Sequence, residues 1–178
     1  MQHRTSALII AITISVLGFV TPAGAFKVGQ KAKPFRLKHS NGKWYTLKGF
    51  KKKVLLVWYE GAKSKEQNRW LKNKLLKIYD AGKIPQKLWE SVGIANFQET
   101  AWPNAIIRVV IRREQKKTRS PILWDPSGHM MKTWGFRNGR SNIYVLDKHR
   151  LLRWKTSGPI SRKMGRRLVR LIRRLTKE

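Results

Sequence analysis

The chain has 178 residues, no cysteine, and 40 lysines and arginines against nine acids, for a formal charge of +31. Zero cysteines exclude disulfides, thiol nucleophiles and cysteine-ligated metals outright. The charge excludes no fold, but it implies attraction to polyanions, anionic membrane surfaces or acidic proteins.

Residues 1–25 read as a secretory signal peptide. His3 and Arg4 form a short basic start, and residues 7–20 form an apolar run. Pro22 breaks it before Ala23-Gly24-Ala25, which fits the small-x-small cleavage pattern. The run is too short for a comfortable membrane span. Cleavage near Ala25 would leave one domain over residues 26–178, periplasmic or secreted. That part holds all nine acids and every lysine and arginine except Arg4.

Residues 35–39 alternate apolar and polar, as a half-buried strand does. Ser40-Asn41-Gly42-Lys43 is a hairpin turn, and residues 44–47 are the return strand. Residues 54–59, Val-Leu-Leu-Val-Trp-Tyr, are a continuous apolar run and predict a strand buried on both faces. Glu60-Gly61-Ala62-Lys63 ends that run. Ser64, with Gln67 three residues on, has the spacing of a capping box. Leu71, Leu75, Ile78 and Tyr79 then give one apolar face, so a helix is expected over residues 64–81, stopped by Gly82.

Residues 83–91 read as a loop and residues 92–96 as a second core strand. Ala101-Trp102-Pro103 opens a second helix with an apolar face of Ile106, Ile107, Val110 and Ile111, and residues 114–120 are its basic exit. Residues 121–124 form a short strand closed by the turn Asp125-Pro126-Ser127-Gly128. Residues 130–134 make one helical turn ending at Gly135. Residues 142–146 are a third strong strand, and residues 151–154 return antiparallel to it. Ser161 caps a final helix with an apolar stripe of Met164, Leu168, Leu171, Ile172 and Leu175. The absence of repeats and long linkers indicates one domain.

Four motifs in this order carry a resemblance. Val28-Gly29-Gln30-Lys31-Ala32-Lys33-Pro34-Phe35 resembles the opening of peroxiredoxins and related periplasmic thioredoxins. Ser40-Asn41-Gly42-Lys43 resembles their first turn. Trp124-Asp125-Pro126-Ser127-Gly128 with Trp134-Gly135-Phe136, and Tyr144-Val145-Leu146-Asp147-Lys148, resemble their later segments. More narrowly, residues 61–68 with Lys65-Glu66 and Asn68, and Lys83-Ile84-Pro85, are similar to the YtfJ-type periplasmic proteins, thioredoxin-like relatives that lack the redox cysteines. The resemblance spans nearly all of residues 26–176. It implies an α/β, thioredoxin-like fold: a central mixed sheet flanked by helices, with an N-terminal β-hairpin. It implies no defined biochemical role. In thioredoxins a thiolate at the first helix N-terminus is stabilised by the helix dipole. Here residues 61–65 offer Gly, Ala, Lys, Ser and Lys. The position of the family's cis-proline falls near Ser141, and Arg140 matches an arginine that redoxin peroxidases keep near this point.

Two site readings follow. A helix N-terminus with free N–H groups is an anion site, which makes Gly61, Lys63, Ser64, Lys65 and Arg140 candidates to bind a carboxylate or phosphate. The competing reading is a capped helix with solvated lysines. The second set is the basic surface of the last helix: Arg162, Lys163, Arg166, Arg167, Arg170, Arg173 and Arg174, all off its apolar stripe. Of eight tryptophans, Trp58, Trp124 and Trp154 belong to core strands, while Trp44, Trp70, Trp89, Trp102 and Trp134 are open between burial and stacking on nucleic-acid bases. His39, His129 and His149 show no metal-ligand spacing. No residue is assigned a catalytic role, and no metal or cofactor is expected.

Together these features describe an exported, cysteine-free, thioredoxin-like, non-enzymatic binder of an anionic membrane surface, lipopolysaccharide or an acidic protein. A degenerate redoxin with a thiol-independent activity is one alternative, and a nucleic-acid binder is another.

Overall fold

The computed structural model describes residues 26–178, and the signal peptide assigned to residues 1–25 lies outside the described residues. The apolar run becomes β3 (Val54–Glu60), buried along six of its seven residues. Around it, β1 (Arg36–His39), β2 (Trp44–Thr46), β4 (Trp89–Asn96), β5 (Ile122–Asp125), β6 (Asn142–Leu146) and β7 (Leu152–Ser157) form one sheet. Its order is β2-β1-β5-β4-β3-β6-β7. Strand β3 pairs parallel with β4 and antiparallel with β6, so the three strongest apolar runs are neighbours. Strand β4 pairs parallel with β5, and the β1–β2 hairpin joins β5 antiparallel.

The period-two alternation divides β3 between two cores. Leu55, Val57 and Tyr59 face one side, where Phe35, Phe50, Met130, Trp134 and Phe136 close over them. Met130 and Trp134 come from α3 (His129–Trp134), which ends at Gly135 in the left-handed region. Val54, Leu56 and Trp58 face the other side, under α1 (Arg69–Asp80) and α4 (Arg162–Leu175). Helix α2 (Asn104–Lys117) continues that layer over Ala95, Ile122 and Trp124.

Helix α4 shows how local signals and packing agree. The Ser161 hydroxyl accepts a hydrogen bond from the Met164 N–H. Leu168, Val169, Ile172 and Leu175 are buried, and Leu171 and Met164 are half-buried. Each fully buried aliphatic side chain contributes roughly 1.5–3 kcal/mol. Gly165 lets α4 approach α1: a Cβ there would lie 2.2 Å from the Trp70 ring. That contact accounts for a glycine inside a helix, where it costs about 1 kcal/mol relative to alanine.

Three elements differ from expectation. Helix α1 begins at Arg69, five residues after Ser64, because Ser64 and Gln67 bond distant partners instead of the helix end. Strand β4 begins at Trp89 inside the expected loop, since Trp89 is in register with Val54 and buries its ring. Helix α2 extends through Lys117, and only Ile107 and Ile111 of its apolar residues are buried. Ile106 stands 50% exposed, because α2 lies on the outer part of the sheet and contacts it along a narrow strip.

Candidate functional site

Parallel strands β3 and β4 deliver their C-terminal ends side by side, and the β3–α1 turn lies where thioredoxins carry their thiols. In this chain a carboxylate fills the turn. Glu99 ends a 3₁₀ turn (Phe97–Glu99) after β4 and is 6% exposed. Its Oε2 accepts from the backbone N–H groups of Lys63 at 3.1 Å and Ser64 at 3.2 Å, and its Oε1 accepts from the Ser64 hydroxyl at 2.7 Å. Ser64 Oγ in turn accepts from the Gly61 N–H at 2.9 Å. Gly61 must lack a side chain here, since a Cβ would lie 2.4 Å from the Glu99 carboxyl carbon.

A second carboxylate, Glu60, ends β3. It accepts from the Ser141 hydroxyl and from the Lys72 ammonium, which also donates to the Lys65 carbonyl at 2.8 Å. Burial holds the Glu60 carboxyl above the usual range, against the pull of Lys72, and the nearby Glu99 charge adds to the rise. A third, Asp125, accepts from the Tyr59 hydroxyl at 3.0 Å and from the His129 and Met130 N–H groups at 2.9 Å. Burial, then Asp125, pushes the Tyr59 hydroxyl far above the phenol range, so it remains a donor.

The loop holding Gly139, Arg140 and Ser141 is clasped to the turn. Gln67 Nε2 donates to the Gly139 carbonyl at 3.1 Å, and its Oε1 accepts from the Ser141 N–H at 3.0 Å. Asn68 stands at the N-cap position of α1 without capping it. Its amide instead donates to Ser141 Oγ and the Gly158 carbonyl, and its Oδ1 accepts from the Ile160 N–H, all at 3.0 Å.

This arrangement corrects the sequence expectation of an open anion pocket. The N–H groups of Lys63 and Ser64 are present and aimed together, but Glu99 already uses them. Ser64 is fully buried and caps no helix. Gly61 and Lys65 are half-buried, and Lys63 is exposed. Arg140 is exposed and its guanidinium lies against Gly158, 3.3 Å from where a Cβ there would sit. Among the described residues no hydrogen bond joins that guanidinium to the turn. Sequence reasoning missed Glu99, and it named Glu60 and Asn68 only as parts of the turn and of the family-like segment, with no role. The only local signal was a carboxylate next to the apolar Ile-Ala-Asn-Phe segment in a chain with few acids.

The family described as "Bacterial protein of unknown function (YtfJ_HI0045)" matches residues 36–175. The chain belongs to this family. No curated protein matches it. Among solved structures, the chain is similar to the thioredoxin domain of a thiol-disulfide oxidoreductase from Bacteroides vulgatus, at 16% identity and TM-score 0.61 over 83% of this chain and 99% of that one. It is also similar to an exposed lipoprotein thioredoxin from Streptococcus pneumoniae, at 17% identity and TM-score 0.55 over 80% and 99%. A hypothetical protein from Sinorhizobium meliloti matches at 19% identity and TM-score 0.64, over 86% of each chain. At such identities the likeness shows the fold, which is thioredoxin-like.

In this YtfJ-family protein both serine hydroxyls at the turn donate to carboxylates, and Ser64 is sealed from solvent. Among the described residues no group of three His, Asp or Glu side chains is placed to hold a metal ion. The basic set of α4 is arranged differently. All seven of its cations, from Arg162 to Arg174, are exposed. Arg162 lies 4.3 Å over the Trp70 ring, and Arg174 approaches Glu178 at 3.9 Å. Of the five tryptophans left open by sequence, Trp89 and Trp134 are buried, Trp70 is half-buried, and Trp44 and Trp102 are 54% and 56% exposed.

Proposed function

We propose that this YtfJ-family protein is an exported, non-enzymatic binder of anionic lipid headgroups at an envelope surface. The observation that carries the reading is α4. Its apolar stripe is used in packing on the sheet, while its seven cations all point to solvent. The helix is therefore fixed as a cationic ridge and does not need to leave the fold to meet an anionic surface. Helix α2 in the same layer, with Trp102 just before it, adds exposed Trp102, Ile106 and Val109 beside Arg108, Arg112 and Arg113. Apolar side chains among cations suit a lipid interface, where the former reach the acyl boundary and the latter the headgroups. No helix among the described residues is long and apolar enough to cross a membrane. Thiol chemistry is absent with the cysteines, and the Ser64 and Ser141 hydroxyls at the turn that replaces it donate to carboxylates.

Titration of residues 26–178 against anionic vesicles, neutral vesicles and single-stranded DNA tests this reading. Binding to anionic vesicles should exceed binding to DNA and fall steeply with salt, as screening shortens the reach of exposed charge to about 10 Å at 0.1 M. Each cation near an anionic leaflet is worth ~1 kcal/mol. Replacing Arg166, Arg170 and Arg173 by Gln should therefore weaken vesicle binding by about a hundredfold at low salt, with the fold intact. Unchanged affinity in that variant, or binding indifferent to salt, sinks the reading. Tighter binding to DNA transfers it to the nucleic-acid alternative, and binding to neither leaves an acidic protein as the partner to seek.

A further inference from the structure

The helical layer of α4, α1 and α2 stops at β5, and the same face of the β1–β2 hairpin is uncovered. Strand register puts Trp44, Lys38 and Trp124 in one cross-strand row on that face. Neighbouring strands lie about 4.8 Å apart, so the two indoles flank the lysine over about 10 Å. Arg36 lies 4.5 Å over the Trp44 ring, and Arg108 of α2 lies 5.2 Å over the Trp124 ring. Together with Ser127 and His129 these residues line a cleft of about 430 Å³.

The cleft is a built cationic site. Arg36, Lys38 and Arg108 are exposed, and none is ion-paired among the described residues. The one acid beside them, Asp125, is 1% exposed, and its oxygens are committed to Tyr59, His129 and Met130. A guanidinium stacked on an indole is held in place while its N–H edge stays free to fork onto an oxoanion. Two such guanidinium groups and an ammonium, with no available carboxylate, match a dianion better than a monoanion. A phosphate monoester carries close to two charges at neutral pH and three acceptor oxygens.

We propose that this cleft binds a phosphate monoester, with Arg36 and Arg108 as the paired clamps, Lys38 at the floor, and the Trp44 ring edge against the esterified group. The proposal deepens the headgroup reading by naming a specific recognition site at the margin of the cationic helical face. Calorimetric titration of phenyl phosphate into residues 26–178 should show saturable binding. Arg36→Gln and Arg108→Gln should each weaken it about tenfold, the loss of one charge-assisted hydrogen bond. The charge-matched control Lys48→Gln with Lys116→Gln, away from the cleft, should leave it unchanged. Two vesicle arms separate the sources of the phosphate. A preference for phosphatidic acid over phosphatidylglycerol vesicles that disappears in the Arg36→Gln, Arg108→Gln variant assigns a lipid headgroup. Phenyl phosphate binding without that preference assigns a soluble ester. Absence of saturable phenyl phosphate binding, or equal loss in the control variant, overturns the proposal. The α4 triple variant should keep phenyl phosphate binding while losing vesicle binding, so failure here and failure of the surface reading are distinguishable.

Discussion

At the β3–α1 turn, converging N–H groups receive a carboxylate from the chain itself. At the hairpin edge, three cations converge on a cleft and receive none. The nine acids of this sequence explain the difference. Glu99, Asp125 and Asp147 are buried and accept from backbone N–H groups, Asp147 from those of His149 and Leu151. Glu60 is largely enclosed beside Lys72. These acids hold loops together, so few remain to offset the 40 lysines and arginines of the chain. The turn is thus a closed electrostatic unit, and the outer surface is more one-sided than the overall charge suggests. A turn without thiols holds its own internal carboxylate, while the exposed cations lie elsewhere, at the cleft and along α4.

Removing the internal anion should separate the two regions most sharply. Glu99→Ala leaves the Ser64 N–H and hydroxyl buried without an acceptor, at about 1–3 kcal/mol for each group left unsatisfied, and also removes the acceptor of the Lys63 N–H. A loss of about 3 kcal/mol would lower Tm by roughly 10 °C in a chain of this size. Added formate should restore part of that loss by entering the emptied site, and should have little effect on the parent protein. An unchanged Tm would mean that Glu99 does not hold the turn. Binding of phenyl phosphate at the cleft should survive the substitution below the lowered Tm.

Gly61→Ala attacks the same unit from the other side and should cost somewhat less, about 1–3 kcal/mol, the usual range for overpacking. The added methyl overlaps the Glu99 carboxyl group, so the two substitutions are coupled. In the double variant with Glu99→Gly, which also removes the Glu99 Cβ that would lie 2.6 Å from the added methyl, the methyl has room, and the combined loss of stability should fall well short of additive. Additive losses in denaturant unfolding would break the argument that Gly61 exists to admit Glu99.

The parts of this fold that could be read from sequence are those set by local pattern. The adjacency of β4, β3 and β6 follows from apolar runs and strand–helix order, and the Ser161 cap and α4 stripe from spacing. The turn could not be read that way. Ser64 and Gln67 have capping-box spacing, but their side chains bond Glu99 and Ser141, 35 and 74 residues away. Local spacing does not distinguish a cap from a long-range clasp when both use the same side-chain groups. The cleft depends on β1 pairing with β5, which puts Lys38 beside Trp124. Trp44, Arg36 and Arg108 carry no motif: the hairpin puts Arg36 beside Trp44, and the β1–β5 pairing then brings both to Trp124 and Arg108. The apolar face of α2 was read too wide for a related reason: periodicity reports which residues share a face, and the sheet beneath decides how many are covered.

The smallest effect should come from Glu60, and it sharpens the contrast through pH. Burial raises the Glu60 carboxyl above its ordinary value despite Lys72. The folded state therefore holds this proton more tightly than the unfolded chain does. Stability from that preference is fully present below the ordinary carboxylate range and is lost as pH rises through the elevated folded value. Glu60→Gln keeps an oxygen for the Ser141 hydroxyl and removes the titration. Lys72 loses its carboxylate but retains the Lys65 carbonyl and its place 5.3 Å from the Trp58 ring. The Tm of Glu60→Gln relative to the parent protein should therefore climb as pH rises from the ordinary carboxylate range through the raised folded value. Vesicle and phenyl phosphate binding should be unaffected throughout. A difference that stays flat, or that falls with rising pH, would show that the Lys72 pair outweighs burial and that Glu60 stabilises the turn as an ion.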